Sequence, residues 1–163
     1  MGLIKIGRVI RPHGVKGGMK VSSDFKYKKK AFIANSTIYI NNTPYKLLSY
    51  SFAGGGQLDI AYLEGINTID DVIRIRQSDI YINKSVLNID EILDQELINM
   101  DVYLEDELLS TVEDVQSGIN PLIIFKYNNK NVYVPRQDVF IKEINVDENK
   151  IVFNENIRGL LWK

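Results

Sequence analysis

A glycine-rich loop close to the N-terminus holds the side chains with the clearest chemical potential. Residues 11–20 display a cluster of cations and one imidazole, namely Arg11, His13, Lys16 and Lys20. Proline fixes its own φ and glycine permits positive φ or close backbone approach, so Pro12, Gly14 and Gly17 are predicted to be the structural residues of this loop. Such a loop could bind an anion through its cations or move a proton through its imidazole.

Metal and acid–base chemistry lack the partners that they need in this part of the chain. His13 is the single histidine, there is no cysteine, and Asp24 is the one acid among residues 1–50. A transition-metal site would therefore depend on distant carboxylates. We predict no catalytic residue, no metal site and no cofactor, and we interpret His13 as a turn residue that bonds its own loop or a phosphate. A small hydrolase that uses His13 is the weakest alternative.

The same loop does not fit a nucleotide-binding motif. Its glycine and lysine spacing matches neither of the two common phosphate-binding fingerprints, and a strand pattern follows where a helix should begin. Nucleotide binding of that kind is not expected here.

The charges of the chain are strongly divided along its length. Residues 1–50 hold ten Lys and Arg against one acid, a formal charge of +9, whereas the rest holds ten against twenty, a charge of −10. A basic region of this kind favours a nucleic-acid partner, and an acidic one favours a basic protein. Lys28, Lys29 and Lys30 form a second basic cluster beside Tyr27, which is either an RNA-binding surface or a solvated loop. The candidate nucleic-acid-binding residues are Arg8, Arg11, His13, Lys16, Lys20, Lys28, Lys29 and Lys30.

Alternating apolar and polar residues predict a mainly β protein that positions these side chains. Strands are predicted at 3–11, 19–23, 36–40, 45–52, 57–63 and 79–82, and then at 100–104, 108–115, 122–127, 131–134, 140–145 and 150–153. A short helix is predicted at 68–76, because Thr68 can cap it, acids follow in the first turn and arginines lie in the last. Few helical crossovers are available, so two small β-barrels are expected rather than a doubly wound sheet. The predicted domains are 1–85 and 99–163, with an acidic linker and a helical turn at 86–98.

Composition favours a cytoplasmic protein. The chain shows no signal-peptide core and no apolar run long enough to cross a membrane, and the absence of cysteine suits a reducing compartment.

The order of short motifs resembles the RimM ribosome-maturation factors from Ile4 to Trp162. In the first half the motifs lie at 7–9, at 12–17 (Pro-His-Gly-Val-Lys-Gly), at 63–66 and at 79–82. In the second half they lie at 101–103, 107–109, 111–112, 114–115, 118, 134–135, 140–144 and 159–161. Ile92 and Leu93 stand where the family usually has an aromatic pair, and Pro121 suggests that an edge strand follows it.

The resemblance implies a translation-factor-like six-stranded barrel followed by a PRC-barrel domain. It implies a monomeric, non-enzymatic assembly factor that binds the maturing 30S subunit through a head protein, ribosomal protein S nineteen. This factor helps the 3′ domain of 16S rRNA to fold and be processed. The second domain would present a candidate interface at Pro135, Arg136, Asp138 and Phe140, a segment that is otherwise a plain β-corner facing water. A sequence-tolerant RNA chaperone without a ribosomal protein partner is the alternative.

Overall fold

The chain divides into two compact units, with the boundary in the sequence between Ile89 and Asp90. The computed structural model describes residues 2–161, so Trp162, at the end of the motif series, lies outside it. All twelve predicted strands are present, and most differ from the predicted bounds by one to three residues. No helix in residues 2–161 has the length and apolar character that a membrane span requires.

The first unit is a closed barrel of six strands in the order β1-β2-β5-β4-β3-β6, as predicted. The strands are β1 (Leu3–His13), β2 (Gly18–Ser22), β3 (Thr37–Ile40), β4 (Thr43–Ser51), β5 (Asp59–Leu63) and β6 (Asp79–Asn83). Alternate residues point inward, and Ile6, Met19, Ile38, Leu47 and Ile80 are among the fully buried side chains. Closure leaves no unpaired edge, so the loops between strands are the parts free to carry function.

Two short helices accompany the barrel. Helix α1 (Lys28–Ala31) contains the lysine cluster, which one of the two interpretations took to be a solvated loop. The helix buries Ala31. Helix α2 (Ile69–Ile75) confirms the helix predicted at 68–76. The Thr68 hydroxyl accepts from the Asp71 amide at 3.1 Å, and the Asp71 carboxylate accepts from the Thr68 amide at 3.2 Å. This reciprocal cap starts the helix where the sequence predicts.

The second unit is a six-stranded sheet in the order β10-β9-β8-β7-β12-β11. Its strands are β7 (Asp101–Leu104), β8 (Glu107–Gln116), β9 (Leu122–Tyr127), β10 (Lys130–Pro135), β11 (Ile141–Asn145) and β12 (Lys150–Phe153). The prediction of a second barrel is confirmed only in part, because within the described residues no ladder joins β10 to β11 and the sheet stays open. The prediction from Pro121 is wrong, since β9 lies between β8 and β10, and the proline precedes that central strand without removing a ladder donor.

The core of the second unit extends beyond its strands. Phe125 and Phe153 stack in its centre, with ring centroids 6.0 Å apart. The remaining helix, α3 (Arg158–Leu161), adds Leu161 to the same core. The predicted linker at 86–98 contains parts of both units: Leu87 is buried in the first, and Leu97, in a 3-10 helix (Asp94–Leu97), is buried in the core of the second.

Candidate nucleic-acid interface

The glycine-rich loop is the turn of the β1–β2 hairpin. His13 pairs with Gly18 and Arg11 pairs with Lys20, while a bulge at Ile10 shifts the register between Val9 and Arg11. On a regular strand, residues eight and eleven would point to opposite faces. The bulge adds one residue, so that Arg8 and Arg11 are both exposed while Val9 is buried. The barrel therefore displays two arginines on one strand.

Three cations of this hairpin have no counter-charge among the described residues. Arg11 and Lys20 lie directly opposite each other, and Lys16 is exposed at the turn. No carboxylate of residues 2–161 forms a salt bridge with any of the three. Like charges on directly opposed residues are destabilising, so the hairpin carries positive charge that the described residues leave uncompensated. We call Arg11, Lys16 and Lys20 the hairpin triad.

The glycines hold this hairpin against the rest of the barrel. Gly17 has φ of +87°, and a Cβ there would lie 2.0 Å from the carbonyl oxygen of Ile66. At Gly18 a Cβ would lie 2.9 Å from the ring of Tyr62. Only residues without a side chain allow such close approach. The hairpin triad is consequently presented on a packed support.

The alanine substitution G17A is expected to destabilise the barrel by about 2 kcal/mol. The cost combines a left-handed backbone with a clash against backbone that cannot easily move. G14A is the matched control: Gly14 also has positive φ, at +71°, but no atom lies within 4 Å of a Cβ there, so only about 1 kcal/mol is expected. Urea unfolding of both variants measures the difference, and equal costs would contradict the packing role of Gly17.

His13 and Arg8 are placed differently from the hairpin triad. His13 ends β1 and is half-buried, and its ring makes no hydrogen bond within residues 2–161. Arg8 donates to Asp79 at 3.0 Å, and the ammonium of Lys5 lies 3.4 Å from the same carboxylate oxygen. Partial burial opposes ionisation of Asp79, but its bonds to these two cations hold its pKa below the ordinary value. Arg8 and Lys5 therefore share one counter-charge, and a net charge of about +1 remains at this place.

Lys28 belongs to a buried network that sequence patterns did not reveal. Its ammonium donates to Asp59 at 2.9 Å, and the Tyr50 hydroxyl donates to the same carboxylate oxygen at 2.6 Å. The other oxygen of Asp59 accepts from the Ala53 amide at 2.8 Å. Asp59 is only 2% exposed. One sequence signal of this burial was overlooked: Asp59 alternates with Ala61 and Leu63 along β5, so all three side chains lie on the inward face.

The electrostatics of this network favour an ionised Asp59. Burial acts to raise its pKa, yet hydrogen bonds from Tyr50, Lys28 and Ala53 together with the charge of Lys28 lower it below the ordinary value. Burial and the adjacent carboxylate raise the pKa of Tyr50, which stays protonated as a donor. Lys28 therefore has a structural role, and the carboxylate of Asp59 balances its charge.

Two lysines that flank Tyr27, one of them in α1, lie over its ring. The ammonium groups of Lys26 and Lys30 lie 5.2 and 5.8 Å from the ring centroid of Tyr27, within the range of cation–π attraction. Lys29 is exposed and forms no salt bridge within the described chain. Lys29 and Lys30 therefore add positive charge at a second place on the barrel surface.

The candidate interface of the second unit is mostly turned inward. Arg136 donates to the Asp94 carboxylate and, at 2.6 Å, to the carbonyl oxygen of Ile92, and so fastens residues 92–97 to the sheet. Phe140 packs against the core, and Pro135 ends β10. Asp138 alone among the four is exposed. Within residues 2–161, no three His, Asp or Glu side chains come together in a way that could hold a metal ion.

Comparison with known proteins gives a consistent family similarity. Residues 4–87 match a family model described as the RimM N-terminal domain. The chain is 31% identical to Ribosome maturation factor RimM of Acholeplasma laidlawii, over 98% of this chain and 99% of that protein. It is 28% identical to the protein of the same name from Bacillus mycoides, over 96% of each. A solved structure of a 16S ribosomal RNA processing protein RimM from Pseudomonas aeruginosa has a TM-score of 0.47 and 15% identity, covering 94% of this chain and 97% of that one.

Proposed function

Since the chain belongs to the RimM family of ribosome maturation factors, we propose that it assists assembly of the small ribosomal subunit without catalysing a reaction. It binds the maturing 30S particle through ribosomal protein S nineteen of the head and promotes folding and processing of the 3′ domain of 16S rRNA. It acts in the cytoplasm as a monomer, away from membranes and without a cofactor.

The observation that carries this proposal is similarity along the entire chain. A shared barrel alone would suggest a common fold, because one fold serves many functions. Here both units lie within the region that matches the Acholeplasma laidlawii protein. The proposed function therefore requires both units.

The division of charge between the two units supports two different partners. The first unit, residues 1–89, holds thirteen Lys and Arg against six acids, a formal charge of +7. The second, residues 90–163, holds seven against fifteen, a charge of −8. Opposite potentials steer encounter and set orientation more than they add affinity. We assign rRNA to the first unit and the basic ribosomal protein to the second.

The hairpin triad gives the first unit a means of holding rRNA. Three cations on a packed hairpin can each contact a backbone phosphate, and such contacts position RNA without reading its sequence. Selectivity for one place on the 30S particle then comes from the protein partner of the second unit. The glycines and Pro12 have the supporting role of fixing the hairpin.

A binding assay with individual small-subunit proteins tests the choice of partner. The full-length protein is immobilised and presented separately with each purified small-subunit protein at moderate ionic strength. Retention of S nineteen above the other basic proteins is expected. Retention of none, or of all in proportion to their positive charge, would contradict a specific protein partner.

The unpaired hairpin triad also favours a second candidate, a sequence-tolerant RNA chaperone. That function requires RNA binding by the first unit and no ribosomal protein partner for the second. The same binding assay separates the two candidates, because a chaperone of this kind would retain no small-subunit protein in preference to the others.

A further inference from the structure

A ladder of three aromatic rings leads from the inside of the first unit to its surface. Phe32 is 4% exposed and stacks on Tyr50, with centroids 4.0 Å apart and planes at 12°. Tyr50 in turn meets Phe52 edge to face at 4.9 Å. Phe52 is 42% exposed. The surface ring is thus the outer end of a packed stack rather than an isolated apolar side chain.

The backbone around Phe52 is held in place by one buried group. Asp59 accepts from the hydroxyl of Tyr50, two residues before Phe52, and from the amide of Ala53, the residue after it. Both attachments use a carboxylate that is itself buried. Phe52 is therefore positioned before any ligand arrives, which lowers the entropic cost of binding to it.

The loop that follows Phe52 has open space around its glycines. Gly54, Gly55 and Gly56 follow it, and a Cβ at any of them would meet no atom within 4 Å. Their amides make no hydrogen bond to the backbone of residues 2–161. The three glycines contribute no side chain that could cover Phe52, and the described backbone leaves their amides available as donors.

The charge around the ring favours a nucleic-acid ligand over an apolar protein surface. The Lys28 ammonium lies 5.7 Å from the Phe52 centroid with its charge balanced by Asp59, and the same helix carries Lys29 and Lys30, which form no salt bridge with a described acid. An exposed aromatic ring among cations matches the requirements of single-stranded RNA, whose bases stack and whose phosphates need counter-charge.

We propose that Phe52 is a stacking site for one unpaired base of RNA. This proposal deepens the proposed function and depends on it. The hairpin triad holds backbone phosphates of rRNA, whether the bases are paired or not. Phe52 accepts only a nucleotide whose base is unpaired. The first unit then favours RNA that has not yet completed its pairing, as expected on a subunit that is still folding. Asp59 acts as a positioning residue for this site.

The test compares two RNA probes on the full-length protein. One is a single strand that carries 2-aminopurine, whose fluorescence falls when the base stacks, and the other is a duplex with the same number of phosphates. F52A is expected to weaken single-strand binding roughly tenfold and to abolish the fluorescence change. Duplex affinity and the salt dependence of both should stay unchanged. F52W keeps a stacking surface and should retain both signals, while F52L keeps apolar volume alone and should lose them.

The outcomes separate this site from the function on which it depends. If the unmodified protein binds neither probe, the rRNA-binding function fails and the stacking site fails with it. If the unmodified protein binds both probes, and F52A and F52L bind the single strand as tightly as it does, the stacking site alone is overturned. Loss of S nineteen retention by F52A with RNA affinity intact would also overturn it, by assigning the ring to a protein contact.

Discussion

Reversing the hairpin triad, by combining R11E, K16E and K20E, is expected to weaken binding of single-stranded RNA at least about a hundredfold in 0.1 M salt. Each phosphate contact to a single strand releases about 0.7 of a counterion, worth a factor of about five at that salt concentration. For three contacts, these factors multiply to a loss of affinity of somewhat more than about a hundredfold. The slope of log affinity against log salt should fall in magnitude by about 2. Fluorescence anisotropy titrations over a range of salt measure both quantities.

The control variant must change the net charge by the same amount as the reversed hairpin triad but leave the hairpin unaltered. K46E, K126E and K130E together make the same change at three exposed lysines, one on the far part of the barrel sheet and two in the second unit. None of the three forms a salt bridge in the described chain. A modest loss is expected from the altered overall field. If this control loses as much affinity as the reversed hairpin triad, RNA binding reflects total charge and the hairpin has no special role.

Replacing Asp59 with alanine is expected to destabilise the first unit by about 3–5 kcal/mol. The change leaves the Lys28 ammonium partly buried without its partner and the Tyr50 hydroxyl without its acceptor, and an uncompensated buried charge is among the most costly defects in a protein. Native-state hydrogen exchange of barrel amides measures the loss in this unit separately from the other. D79A is the matched control, because Asp79 also binds two cations but lies nearer the surface, and it should cost less than about 1 kcal/mol. Equal losses would contradict the structural role of the buried network.

The same network should make the barrel sensitive to acid. The pKa of Asp59 is lower in the folded protein than its ordinary value, so the unfolded chain takes up a proton first as pH falls. The stabilisation is therefore complete above the unfolded pKa of about 3.9 and is lost as pH drops through the lower folded value. D59N cannot ionise and should flatten this part of the curve of unfolding free energy against pH. An unchanged acid dependence in D59N would mean that other carboxylates cause it.

Most strands could be predicted because inward apolar residues alternate with outward residues along them. β12 is an exception, with three consecutive buried apolar residues. Thr68 with Asp71 forms a local cap that a sequence shows directly. Helix α1 was not predicted because it spans four residues, three of them lysines, and depends on burial of Ala31 against the barrel. The open edge between β10 and β11 depends on how residues 136–140 turn, where Arg136 bonds to Asp94 and Ile92. Such long-range contacts leave no periodic pattern.

The candidate site was predictable as a region but not as a set of working cations. The surplus of Lys and Arg in residues 1–50 is plain in the sequence. Which of them already bind an acid depends on residues distant in the chain: Asp79, which Arg8 shares with Lys5, and Asp59 for Lys28. The hairpin triad differs from these because the described chain brings no acid to it. Phe52 was missed for a related reason, since only the fold places it at the end of the aromatic ladder and beside Lys28.

Sedimentation through a sucrose gradient tests the central claim most directly. A lysate is separated at low salt and at high salt, and each fraction is probed for this protein. At low salt the protein should travel with free 30S particles and be absent from 70S ribosomes, and the reversed hairpin triad should shift it toward the top of the gradient. Finding the unmodified protein only at the top, at low salt as well as at high salt, would contradict its role as an assembly factor of the 30S subunit.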